Sequence, residues 1–180
     1  MMKEEDMVEL LRHYRHDWMN QIQLIMGYAS MGKLDKVKAK LDDFVAEAEN
    51  ERKLQNLNMP KTIIWLMSFN WRYDNFRINY QVDLEDTTIP INDDKIHTRL
   101  NKMMGILIDH SSKMELYNGE FTLKKQLETG NVQIFVSFQG DFQNVDNLQQ
   151  LLLEDQAIQE VKIEQLANAN YQCTITWISS

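Results

Sequence analysis

The chain has 180 residues, 43% hydrophobic and 26% charged, enough apolar material for one ordinary globular domain or two small ones, which excludes extended disorder. Nineteen basic against 27 acidic side chains leave a net charge of −8, the wrong sign for gripping a phosphate backbone, so no direct nucleic-acid partner is expected. A single cysteine, Cys173, excludes an internal disulfide and a cysteine-cluster zinc site, and six glycines that never fall two apart exclude G-x-G nucleotide loops and the Walker loop.

From Met7 to Ala29 the residues Leu11, Tyr14, Trp18, Ile22, Ile25 and Ala29 recur every three or four positions, one stripe along an α-helix. Gly32 then stops it, and a second helical pattern runs from Leu34 through Val37, Leu41, Phe44 and Ala48 to about Gln55. The short link predicts an antiparallel hairpin. Two helices cannot enclose an apolar seam, so the hairpin is expected either to pair with an identical copy in a homodimeric four-helix bundle or to lie back on its own C-terminal half.

Periodicity breaks at Asn56–Pro60, which places a domain boundary near 58: residues 1–58 form the hairpin and 59–180 a second domain. There Pro60 opens a helix over Lys61–Arg72, and Ile78, Tyr80, Val82 and Leu84 alternate as a half-buried strand. Ile89-Pro90-Ile91 reads as an extended link, and Asp93 as the cap of a helix running to near Lys113. The runs Phe121–Leu127 and Val132–Phe138, joined by Thr129-Gly130-Asn131, predict a hairpin. A short helix over Val145–Leu153 follows, then a second hairpin of Val161–Leu166 and Tyr171–Ile178 joined through Asn168-Ala169-Asn170. Helices laid on one face of a mainly antiparallel sheet make an α+β domain. The apolar runs Ile63–Met67 and Leu151–Leu153 fall far short of the roughly 20 residues that span a bilayer. With an acidic start lacking a signal core, the expectation is a cytoplasmic protein with no membrane contact.

Chemistry concentrates in Arg12-His13-Tyr14-Arg15-His16-Asp17-Trp18-Met19-Asn20-Gln21. At 100° per residue, His16, Asn20, Gln23 and Gly27 fall within about 60° of one another, on the side away from Trp18 and Ile22. A rigid mount, open access and an apolar back are what an imidazole nucleophile serving a large protein substrate needs. Asp17 and Asn20 are placed to orient the ring or hold its other nitrogen protonated, Arg12 and Arg15 to screen phosphoryl charge, and Gln23 to donate a hydrogen bond. On composition and period alone the plainer reading of His16, a solvated surface residue, stays open. So does a role for His13 as the acceptor or as a partner of Asp17, while His13-x-x-His16 lacks the H-E-x-x-H spacing of a zinc site.

The string Arg15-His16-Asp17-x-x-Asn20-x-x-Gln23-Leu24 resembles the phosphoacceptor box of one branch of the two-component sensor histidine kinases. The longer run to Asn20, the hairpin, Lys53-Leu54-x-Asn56-Leu57 and Phe69-Asn70-Trp71 resemble the sporulation phosphotransferases related to that branch. The resemblance implies a phosphorelay: His16 takes a phosphoryl group from the aspartate of one response-regulator receiver domain and passes it to the aspartate of a second that controls sporulation. It also implies a dimer with a four-helix bundle, a C-terminal domain related to kinase ATPase domains, and Mg²⁺ held by the receiver partner rather than by this chain.

The kinase pattern fails in the C-terminal half. His110 stands where the family's asparagine is expected, Gly140-Asp141-Phe142-Gln143 replaces D-x-G-x-G, and Leu166–Asn170 has no glycine. Without backbone room for a triphosphate no ATP site is expected, and His110 and His97 are read as structural or surface residues. Cys173, sharing a strand face with Ile175 and Trp177, is read as core, as are Trp65, Trp71 and the methionines. The acidic run Asp42, Asp43, Glu47, Glu49 and Glu51 is read as a solvated face. Receiver docking is assigned to the surface around His16, including Lys36 and Lys40. The rival reading is a non-catalytic, kinase-derived binding module that regulates a kinase or receiver domain.

Overall fold

The structure, a computed structural model, describes residues 4–84, 91–126, 131–167 and 170–179. It divides into two compact units, Met1–Arg52 and Lys53–Ser180. The partition falls ahead of the break near 58 because Leu54, Leu57 and Met59 are buried with the second unit's core.

The first unit is a helical hairpin of α1 (Glu4–Ser30) and α2 (Leu34–Gln55), the latter running past the partition. Gly32 ends α1 at φ +68°, a left-handed conformation that suits glycine; its N–H bonds the Ala29 carbonyl while the Lys33 N–H bonds that of Tyr28. The helices are antiparallel, since contacts climb one as they descend the other. Tyr14 donates to the Glu51 carboxylate at 2.5 and 2.6 Å, Trp18 meets Phe44 edge to face at 5.0 Å, and Lys36 lies 5.6 Å over the Tyr28 ring. Glu51 therefore departs from the expected acidic face: it is half-buried as Tyr14's acceptor, whereas Asp42, Asp43, Glu47 and Glu49 are exposed.

The second unit contains α3 (Pro60–Arg72), β1 (Phe76–Asp83), α4 (Asp93–Asp109), β2 (Tyr117–Lys125), β3 (Val132–Gly140), α5 (Val145–Leu153), β4 (Ile158–Gln165) and β5 (Tyr171–Ser179). The five strands lie in the order β1-β2-β3-β5-β4. β1 and β2 are parallel, as the α4 crossover between them requires, and the remaining pairings are antiparallel. Strand alternation sends Phe76 and Ile78, Phe121 and Leu123, Ile134, Val136 and Phe138, and Ile175 and Trp177 into one core. Trp65 and Phe69 of α3, Leu100, Met103 and Leu107 of α4, and Leu148 and Leu152 of α5 complete it. The result is an α+β fold.

Some expectations change. The α4 cap is Asn92, whose side chain accepts the Lys95 N–H. Asp93 instead turns its carboxylate to the start of α3, accepting the N–H groups of Lys61 and Thr62 at 2.7 and 2.9 Å. With proline first in that helix, an acceptor from outside does the work of a local cap. α4 also ends at Asp109, short of Lys113, with His110 as its C-cap. Met59, Met103 and Met104 are core, but Met7, Met19, Met26, Met31 and Met114 are exposed, and Trp71 is only half-buried. The expected link Ile89-Pro90, the turn positions Thr129-Gly130 and Asn168-Ala169 lie outside the described residues.

Candidate functional site

His16 sits near the middle of α1 with 70% of its side chain exposed. Its ring is held by one nitrogen: Asp17 Oδ1 lies 3.3 Å and Asn20 Nδ2 3.2 Å from Nδ1. An ionised carboxylate only accepts, so Asp17 favours the proton on Nδ1, and a half-turn of the Asn20 amide presents a second acceptor. That tautomer leaves the lone pair on Nε2, in a side chain that is 70% exposed.

The other candidates divide by position. Gln23 and Gly27 continue the exposed face of His16, and no atom lies within 4 Å of a Cβ built at Gly27. Arg12 and Arg15 are exposed, with the Arg12 guanidinium bonded to Glu9 one turn back. His13 Nε2 lies 3.6 Å from Glu9 Oε2. On α2, Lys36 is exposed over Tyr28, and Lys40 is half-buried with its amine 3.5 Å from Asp43.

Setting His16 at zero on the wheel separates the faces of α1. The half-buried residues Leu10, Tyr14, Gln21, Ile25 and Tyr28 centre near 140° and meet α2. Val8, Leu11, Ile22 and Met26 lie at about 220–280° and are exposed, a second apolar face that the hairpin's own helix does not cover. Leu24, 43% exposed, sits beside Gly27 at about 80°, and Met31, 57% exposed, lies in the turn just past the end of α1. These two belong to neither apolar face, and the reading by motif missed them, although the angle of Leu24 beside His16 is visible in the sequence.

In the second unit, the two segments where the kinase resemblance would put a nucleotide are joined by side chains. Tyr117 Oη donates to the Asp141 carbonyl at 2.6 Å and accepts the Ser112 N–H at 2.9 Å. Phe142 packs on the Tyr117 ring at 4.8 Å, and a Cβ at Gly140 would collide with that ring. His110 is buried rather than on the surface. Its Nδ1 lies 2.9 Å from the Ile106 carbonyl, its Nε2 accepts from Asn147 at 3.0 Å, and its own carbonyl takes the Gln143 N–H. Cys173 is buried, and burial pushes its thiol up to about 12, which removes it as a nucleophile. Among the described residues no three His, Cys, Asp or Glu side chains converge to hold a metal ion, and no helix is long and apolar enough to cross a membrane.

Comparison with known proteins matches the chain in two parts. A family model for the alpha-helical domain of SpoOB-type sensor kinases matches residues 1–57, and one for the C-terminal part of sporulation initiation phosphotransferase B matches 58–177. The sporulation initiation phosphotransferase B of Bacillus subtilis (strain 168) is 30% identical over 175 residues, covering 94% of this chain and 88% of that protein. Among solved structures, the catalytic domain of the histidine kinase ThkA aligns at a TM-score of 0.41 and 13% identity, over 69% of this chain and 95% of that one. The blue-light-activated histidine kinase EL346 of Erythrobacter litoralis aligns at 0.40 and 14%, over 98% and 60%. Both are too distant for anything to be carried across.

Proposed function

The chain belongs to the sporulation initiation phosphotransferase B family, and from that membership we propose that it is a phosphorelay phosphotransferase acting in sporulation, with His16 as its phosphoacceptor. The observation that carries this is the exposed His16 ring, with Asp17 and Asn20 beside its Nδ1. The Nε2 lone pair attacks the phosphorus of an aspartyl phosphate on a receiver domain, an N–P bond forms as the acyl O–P bond breaks, and the aspartate leaves as carboxylate. The ring becomes cationic, and the Asp17 carboxylate beside Nδ1–H stabilises that charge. The reverse step, with the aspartate of a second receiver as nucleophile, regenerates neutral His16. The divalent cation for both steps is assigned to the receiver's acidic pocket, and this chain contributes position and an oriented lone pair.

In this reading the second apolar face of α1 pairs with a second copy to form a four-helix bundle, and the strip Leu24, Gly27, Met31 receives the apolar rim of the receiver. The bonds of the Tyr117 hydroxyl to Ser112 and Asp141, and of the Gln143 N–H to the His110 carbonyl, support a chain that takes its phosphoryl group from a protein rather than from ATP.

The test mixes the purified protein with a phosphorylated receiver and follows acid-labile, base-stable phosphate. Wild type is expected to label and to pass the label to a second receiver. His16→Ala is expected to lose more than about a thousandfold in transfer, the scale of removing a nucleophile, while still binding the receiver. Labelling of His16→Ala at the wild-type rate would overturn the assignment.

A further inference from the structure

α1 carries His16 on one side and its grip on α2 on the other. With His16 at zero on the wheel, Tyr14 lies at about 160° and Trp18 at about 200°, so the two flank the direction opposite the imidazole, each about 3 Å from it along the axis. Both reach α2. Trp18 meets Phe44 edge to face with ring centroids 5.0 Å apart, and the Tyr14 hydroxyl donates to the Glu51 carboxylate, 2.6 and 2.5 Å from its two oxygens. Tyr14, Phe44 and Glu51 are half-buried. Burial first, and the Glu51 carboxylate next, push the Tyr14 phenol above its ordinary range, so the hydroxyl keeps its proton and donates throughout the physiological range.

The two contacts constrain different things. An aromatic pair tolerates a broad range of tilts and offsets, so Trp18 and Phe44 hold the helices together without fixing the turn of α1 about its own axis. A hydrogen bond is directional and weakens steeply as its angle closes, and the bond from Tyr14 to Glu51 fixes that turn at the height of His16. Packing adds little within the hairpin, where no described side chain from Glu5 to Arg52 is buried. A rotation of α1 by about 15° carries a group about 6 Å from the axis through roughly 1.5 Å. Misplacing a reacting atom by about 1 Å can cost about a hundredfold in rate.

We infer that Tyr14 is a positioning residue: its hydrogen bond to Glu51 sets the rotation of α1 and with it the angle at which His16 meets phosphorus. Tyr14 stands on the far side of α1 from the imidazole and acts only through the helix. The inference rests on the assignment of His16 as phosphoacceptor, and adds that the inner face of the hairpin, as well as Asp17 and Asn20, governs the rate. The strip assigned to the receiver begins at Leu24, about two turns further along α1, so the bond acts on the chemical step rather than on docking.

The experiment measures single-turnover transfer from a phosphorylated receiver to the full-length protein across receiver concentrations, well below the melting temperature of every variant. Tyr14→Phe, which removes one oxygen, is expected to lower the saturated rate about tenfold while the half-saturating receiver concentration moves by less than about twofold. Glu51→Ala is expected to match it. Glu51→Gln, whose amide oxygen still accepts, is expected to stay within about threefold of wild type, and Tyr14→Phe combined with Glu51→Ala to be no slower than either alone. A purely structural bond would lower the melting temperature and leave the saturated rate as in wild type. That result, or losses that multiply in the double variant, would overturn the inference. His16→Ala, run alongside, separates the two assignments. Transfer retained in His16→Ala removes the phosphoacceptor and this inference with it, whereas transfer lost in His16→Ala but unchanged in Tyr14→Phe removes the positioning role alone.

Discussion

In the C-terminal unit Phe69, Phe76, Phe121 and Trp177 are fully buried, whereas between Glu5 and Arg52 not one described side chain is. The two units have similar means, apolar residues at regular period, but opposite outcomes. The sheet domain has strands and helices enough to cover its own apolar face. The hairpin has one partner for each helix and two apolar faces on α1, so Val8, Leu11, Ile22 and Met26 stay open. The difference teaches that the second unit buries its own apolar face, while the hairpin leaves one of its faces open, the face assigned above to a proposed second copy.

The sharpest break of that contrast is Ile22→Asp, which places a charge in the uncovered face and touches no core. Burying an unpaired carboxylate costs several kcal/mol, so sedimentation at micromolar concentration is expected to show monomers where wild type shows dimers. Far-UV circular dichroism is expected to lose the hairpin's helix while the sheet remains. A dimer that survives the substitution would show that the open face has another use. The complementary break is Phe69→Ala, which opens a cavity among Trp65, Tyr73 and Phe138. It is expected to destabilise the C-terminal unit by about 3–5 kcal/mol, read as a lower denaturation midpoint for the sheet with dimerisation retained.

Where one period ran without competition, the sequence was enough to read the structure. The stripe from Leu11 to Ala29 and the alternation in Val132–Phe138 each correspond to an element of the structure, because each residue's neighbours demand the same geometry. What could not be read was long-range. Asp93 looks like a local cap, but the start of α3, 31 and 32 residues earlier in the chain, takes its carboxylate. Glu51 looks solvated in a run of acids until Tyr14, 37 residues back, claims it. For the site, the exposed face of His16, Asn20, Gln23 and Gly27 followed from helical arithmetic alone. The hold of Asp17 and Asn20 on Nδ1 needed rotamers.

The smallest expected effect tests the contrast most finely, because it should move stability and activity in opposite directions. Gly27 lies within a long helix with nothing near its missing Cβ and no positive φ, so neither backbone conformation nor internal packing calls for glycine there. Alanine at such a position stabilises a helix by about 0.8–1 kcal/mol, and Gly27→Ala is expected to raise the hairpin's melting temperature. Yet Gly27 shares the face of His16 about 16 Å along the axis, between exposed Leu24 and Met31. If a receiver's backbone closes on that flat strip, the added methyl intrudes at the point of nearest approach, and overpacking of about 1–2 kcal/mol corresponds to roughly tenfold weaker docking. Transfer to Gly27→Ala should therefore slow at limiting receiver and recover at saturation. A variant that is more stable and docks as well as wild type would place the receiver elsewhere on the hairpin, while leaving His16 as the acceptor.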